Sequence, residues 1–127
     1  MRQVIVHNRN RPLDHLIRVV YCDTFLCQLR GLTFRRRIKS DEGLLLVQDR
    51  DSRLEAAIHM LGVWFDLTAI WINTEGRIVD VRLVRSWRPI YVPKHPARYV
   101  LELSTDWIDD FRIGDEVIFE EAGKDFH

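Results

Sequence analysis

Three side chains in this sequence have the chemistry of an acid–base set: His59, Asp66 and Glu102. Histidine titrates near neutral pH, and a carboxylate beside it orients the ring and shifts its pKa. Gathered in one cleft, the three could serve a small hydrolase-like enzyme. No serine or cysteine stands on a recognisable strand-to-helix elbow, so the set has no nucleophile of its own. The plainer assignment has Asp66 capping a turn and Glu102 pairing with an arginine. His59 and Met60 are also ligand types for soft copper. Neighbours on a strand point to opposite faces, and no second histidine lies at ligand spacing. Neither a metal nor any other cofactor is therefore expected.

A second kind of chemistry is contact. Residues 86–96 hold three prolines and two aromatics, Trp87 and Tyr91. Proline at this density excludes helix interior and central strand, so the segment reads as a long, stiff surface loop. Aromatics on such loops are typical of contact surfaces, and Trp64 stands beside another loop. The rings could instead fold back over an open end of a sheet. The cluster Arg30, Arg35, Arg36 and Arg37 could bind phosphate or carboxylate, with Arg36 its central residue. Positive charge at a helix C-terminus equally suits the helix dipole. Only Phe34 lies near, so a stacking platform for single-stranded nucleic acid is missing.

The elements that would position these groups are mostly strands. Val4 and Val6 alternate with polar neighbours, and His15–Tyr21 is rich in Ile and Val; the two are expected to pair as a hairpin. Asp23 and Thr24 are N-cap types ahead of Phe25, Leu29 and Leu32, which fall on one helical stripe with Leu26 beside them. Leu44–Val47 reads as a strand buried on both faces, Gln48–Arg53 as a charged loop, and Ala56–Met60 as another short strand. Leu67–Ile72, the Asn73–Gly76 turn and Arg77–Val84 form a hairpin. In its second arm Val79, Val81 and Leu83 are expected inward, with Asp80 and Arg82 solvated. Ala97–Leu103 alternates again, with Tyr99, Leu101 and Leu103 inward. Thr105–Phe111 suggests a helical turn or two, and Val117 and Phe119 mark a last strand. About eight short strands and one helix near 24–33 predict a β-rich α+β fold: a highly curved antiparallel or mixed sheet, or a partial barrel.

The 127 residues suit a single domain with a real core. No unbroken apolar run, Gly43–Val47 included, approaches the ~20 residues that cross a membrane. Net charge is zero, yet residues 1–40 balance at +7 and residues 41–127 at −7. A chain neutral overall is a poor phosphate binder, so strong nucleic-acid binding is not expected. Cys22 and Cys27 lie five apart, which matches no redox or zinc pair. Two reduced thiols, and an N-terminus without an apolar stretch of signal-peptide length, predict a cytoplasmic setting.

Several blocks together resemble one family. They run R-G-L-T-F-R-R-R at 30–37, E-G-L-L-L-V at 42–47, I-H-M at 58–60, F-D-L at 65–67 and W-I-N-T-E-G-R-I-V at 71–79. W-R-P at 87–89, A-R-Y-V-L-E-L at 97–103 and I-G-D-E-V at 113–117 follow. Their order and spacing over about residues 15–120 resemble the domain of unknown function 192 family. Its usual G-L-M stands here as Gly31-Leu32-Thr33. The resemblance implies a small β-rich domain and assigns no activity. The residues themselves favour a non-enzymatic domain that binds a small ligand or a protein through the 86–96 loop and nearby strand ends. The hydrolase-like alternative uses His59, Asp66 and Glu102.

Overall fold

A computed structural model describes residues 2–32 and 37–122; the side chains of Phe25, Leu29 and Arg30 also lie outside that description. The alternating segments become strands β1 (Gln3–Asn8), β2 (Ile17–Cys22), β3 (Glu42–Ser52), β4 (Leu67–Ile72), β5 (Ile78–Val84), β6 (Ala97–Leu103) and β7 (Val117–Glu121). They form one sheet in the order β5-β4-β6-β3-β2-β1-β7. Every pairing is antiparallel except β2 with β3. A parallel neighbour requires a long crossover, and the chain between Cys22 and Glu42 supplies it. That crossover contains α1 (Phe25–Arg30), where the Thr24 hydroxyl accepts the Cys27 amide at 3.1 Å. Gly31 ends this short helix with φ 49°. A single 3-10 turn, Thr105–Trp107, follows β6.

The sheet curls into a half-barrel. An isolated bridge, Arg77 to Glu116, joins the chain just before β5 to the chain just before β7. The Val117 amide donates to the Gly76 carbonyl at 2.8 Å. Inside the curl lies one apolar cluster, including Val6, Val19, Leu45, Ile70, Leu101, Leu103, Trp107 and Phe111. On the outer side of β3, β4 and β6 lies a second, including Leu44, Leu46, Met60, Leu67, Ala69, Trp71 and Val100. All six residues of β4 are buried because it separates the two clusters. At about 1.5–3 kcal/mol per fully buried large aliphatic side chain, these clusters carry most of the fold's stabilisation. Gly43 marks a close approach: a Cβ there would lie 2.5 Å from the Glu102 carbonyl. No helix among the described residues is long and apolar enough to cross a membrane.

The two hairpins, the buried Leu44–Val47 run and the last strand stand where the sequence placed them. The β-rich, curved sheet is present, but α1 has only six residues, so little α remains in an α+β description. The stripe expected on α1 rests largely on side chains outside the described residues, and Leu26 is exposed. Four further expectations are corrected. Gln48–Ser52 is not a loop; it continues β3 beyond an irregularity after Val47, pairing Ser52 with Ala97. Ala56–Met60 is not a strand. Only Ile58 forms a bridge, to Tyr91, and its apolar alternation comes from a loop laid over the outer cluster. Cys22 and Cys27 are not free thiols. The capped first turn of α1 folds Cys27 back over the end of β2, and the two form a disulfide with Cα atoms 5.6 Å apart. With both thiols in a disulfide, the cysteines no longer point to a reducing compartment. Asp80 and Arg82 are not solvated, because the 86–96 loop covers their face of β5, and on the other face Leu83, expected inward, is exposed.

Candidate functional site

The 86–96 loop is built onto the sheet from beneath. Asp80 and Arg82 pair with Trp71 and Ala69 across β4, which turns both toward the outer cluster. Asp80 is 1% exposed. Its carboxylate accepts the Lys94 amide at 3.0 Å and pairs with Arg82 Nη2 at 2.9 Å. The Arg82 guanidinium lies 4.9 Å above the Trp71 ring, faces Tyr91 at 5.9 Å, and donates to the Val92 carbonyl. Two charges on β5 thus tie down the far half of the loop. Arg82 Nε is buried without a hydrogen-bond partner among the described residues.

The near half is held by a second loop. Backbone hydrogen bonds run from Met60 to the Arg88 carbonyl, from Trp87 to the Met60 carbonyl, and both ways between Ile58 and Tyr91. Asp66 accepts the Ser86 amide at 2.9 Å and pairs with Arg85 at 3.1 Å. Tyr91 is half-buried against the outer cluster, and its hydroxyl accepts the Arg85 amide at 2.8 Å. Trp87 takes φ 64°, the left-handed region that bulky side chains avoid. Its amide donates a hydrogen bond to the Met60 carbonyl and so helps hold a conformation that costs about 1–3 kcal/mol. The consequence is outward display. Trp87 is 47% exposed and Trp64 65%, with their rings edge to face at 5.1 Å. Leu61 at 49% and Ile90 at 61% belong to the same paired loops. Large apolar side chains exposed together on adjoining segments mark contact surfaces more often than isolated ones do.

The acid–base trio is distributed differently. His59 is exposed on the outer loop, and Asp66 is occupied by Arg85 and Ser86. Glu102 pairs across the sheet with Leu44 and Ala69, so its side chain enters the outer cluster. Burial raises its pKa from 4.5 to about 7. No described residue donates a hydrogen bond to its carboxyl, and no described hydrogen bond or ion pair joins the three residues. Arg36 lies outside the described residues. Among those described, no group of three or more His, Cys, Asp or Glu side chains could hold a metal ion.

Sequence reasoning singled out Trp64, Trp87 and Tyr91 but missed Leu61, Ile90 and the Asp80–Arg82 anchor. Leu61 before Gly62 and Ile90 after Pro89 carry a readable signal: a large aliphatic residue beside a turn former has no regular strand in which to be buried. It also missed Asp115. Burial alone would raise that pKa, but hydrogen bonds from Arg11, Asn8 and the Arg112 amide outweigh it and lower it. Its role is to fasten the Asn8–Arg11 turn to the start of β7.

Comparison with known proteins settles the relationship. A family model described as uncharacterised ACR, DUF192, matches residues 5–119. The chain belongs to the DUF192 family. Curated relatives carry the corresponding name UPF0127 protein. That of Thermococcus gammatolerans is 39% identical over 84 residues, covering 66% of this chain and 53% of the relative. That of Pyrococcus furiosus is 34% identical, covering 68% and 71%. The match thus spans about half the length of the Thermococcus gammatolerans and Thermococcus kodakarensis relatives. Two crystal structures share the fold. A Sinorhizobium meliloti protein described as a candidate transcription regulator superposes with TM-score 0.78 at 20% identity, over 93% of this chain and 92% of that one. A Novosphingobium aromaticivorans protein of unknown function gives 0.75 at 19%, over 93% and 84%. At these identities the likeness concerns the DUF192 fold alone.

Proposed function

We propose that this DUF192 domain is a non-enzymatic binding module whose partner is a protein. The partner docks on the surface made by Trp64, Trp87, Leu61 and Ile90. One observation carries the reading: Trp87 is held at positive φ and half exposed, edge to face with the still more exposed Trp64. Backbone strain that neither hides the ring nor improves the core serves display. Tyr91 contributes from beneath by positioning the loop. Affinity at such sites concentrates in a few large anchors, and tryptophan leads them. The 86–96 segment reaches this surface ready-stiffened by proline, so little entropy is lost on docking.

A second reading rests on Glu102, a carboxyl that can exchange a proton near neutral pH, with His59 and Asp66 as its partners in a hydrolase-like site. The exposure of His59 and the engagement of Asp66 favour the binding reading. The test is photo-crosslinking in living cells, with a photoreactive residue at Ile90 or, as control, at exposed Ile118 on the opposite edge. One recurrent protein adduct from Ile90, absent from Ile118 and lost with Trp64→Ala, is expected. The same adducts from both positions would sink the proposal.

A further inference from the structure

We propose that the occupant of the Trp64–Trp87 surface is an acidic peptide segment carrying apolar anchors. This rests on the binding reading above and adds its charge preference. On the two loops that build the surface, each carboxylate already has a cation: half-buried Asp66 holds Arg85, and exposed Glu55 holds Arg50. Asp80 is buried under the loop with Arg82. Arg88 and Lys94 are exposed, and among the described residues neither side chain makes an ion pair. His59 and His95 are exposed on the same segments. The two loops therefore carry exposed, uncompensated cations alongside the apolar pair, with Arg88 next to Trp87.

That combination selects chemistry. An acidic segment gains Coulomb attraction from these cations and is steered toward them, while its apolar residues cover the indoles. Arg88 adjoins Trp87 in sequence, and its carbonyl accepts the Met60 amide, so its position is fixed relative to the ring. A planar guanidinium there can engage a carboxylate bidentately. Single-stranded nucleic acid fits less well. The two indoles meet at an interplanar angle of 79° rather than leaving parallel faces. Leu61 and Ile90 offer no stacking surface for bases, and among the described residues of the two loops Arg53, Arg88 and Lys94 alone are exposed cations without an ion pair, few for neutralising phosphates.

The experiment is fluorescence anisotropy with the full chain and labelled peptides of about twelve residues, long enough to cross both loops. One peptide is Asp/Glu-rich with Leu and Phe anchors. A second keeps the anchors and carries Lys instead of acid. A third is acidic with Ser in place of the anchors. An oligo-dT is the fourth probe. The acidic anchored peptide is expected to bind at least tenfold tighter than the other three. Its affinity should fall about tenfold in Arg88→Glu, and fall as salt rises from about 0.05 to about 0.5 M, as screening requires. Trp64→Ala should weaken both anchored peptides. Equal binding of the acidic and lysine peptides, both sensitive to Trp64→Ala, would overturn the charge preference and leave the surface standing. Tightest binding by oligo-dT would overturn the peptide assignment. Indifference of every probe to Trp64→Ala would overturn both this inference and the docking surface.

Discussion

A carboxyl that shares the outer face of the sheet with Leu44, Ala69 and Val100 resists ionisation. Burial raises the Glu102 pKa from 4.5 to about 7. The folded state therefore holds this proton more tightly than the unfolded chain does. The group's contribution is complete below pH 4.5 and is lost as pH rises through about 7, a swing of about 3 kcal/mol. Denaturant midpoints of the wild type should fall between pH 4.5 and 8, and Glu102→Gln should flatten that slope. Parallel slopes would show that the carboxyl is already ionised and solvated. The neighbouring ion pair makes the opposite point. Removing Arg82 leaves Asp80 as a buried charge, so Arg82→Ala should cost more than about 2 kcal/mol in a denaturant melt. A loss within the range of about 0–1 kcal/mol would place the pair on the surface. Neither environment was legible in the sequence. Alternation along β5 reports that polar residues share a face, but not that a loop ten residues later lies over it. The arginine expected beside Glu102 is not among its described partners.

At the scale of elements, local pattern succeeded where one period ran unbroken. The pairing of β4 with β5, the run in β3 and the strand of β6 were readable because the period there follows the backbone pairing, although in β5 burial runs against it, with Asp80 covered and Leu83 exposed. The pattern misled at Gln48–Ser52, where exposed charged residues continue a strand, and at Ala56–Met60, where a cover loop imitates a strand's alternation. Both depend on distant partners, Ala97 in the first case and Tyr91 in the second. The helix was legible from its cap, yet the bridge from Cys22 to Cys27 was not. Spacing alone does not say that a strand end and a first helical turn will face each other. Thiol titration of the unfolded, unreduced protein should find no free thiol, and reduction should cost about 2 kcal/mol for so short a closed loop. Two titrating thiols would show the bridge open.

The whole molecule is a scaffold whose two apolar clusters hold a sheet between them, with a displayed patch beyond the outer one. The inner cluster fills the half-barrel, and the outer cluster supports the two loops that carry Trp64 and Trp87. The family relationship was legible from ordered blocks along most of the chain, whereas the patch required knowing which loops meet. The chain's four tryptophans report on this division. Trp71 and Trp107 are buried, with indoles donating to the Ala56 and Ser40 carbonyls, while Trp64 and Trp87 face outward. A titration of the ¹⁵N-labelled protein with the anchored acidic peptide, followed at the four indole N–H signals, tests the central claim most directly. The signals of Trp64 and Trp87 should move together while those of Trp71 and Trp107 stay fixed. Movement confined to the buried pair, or of none of the four, would contradict docking of this peptide on these loops.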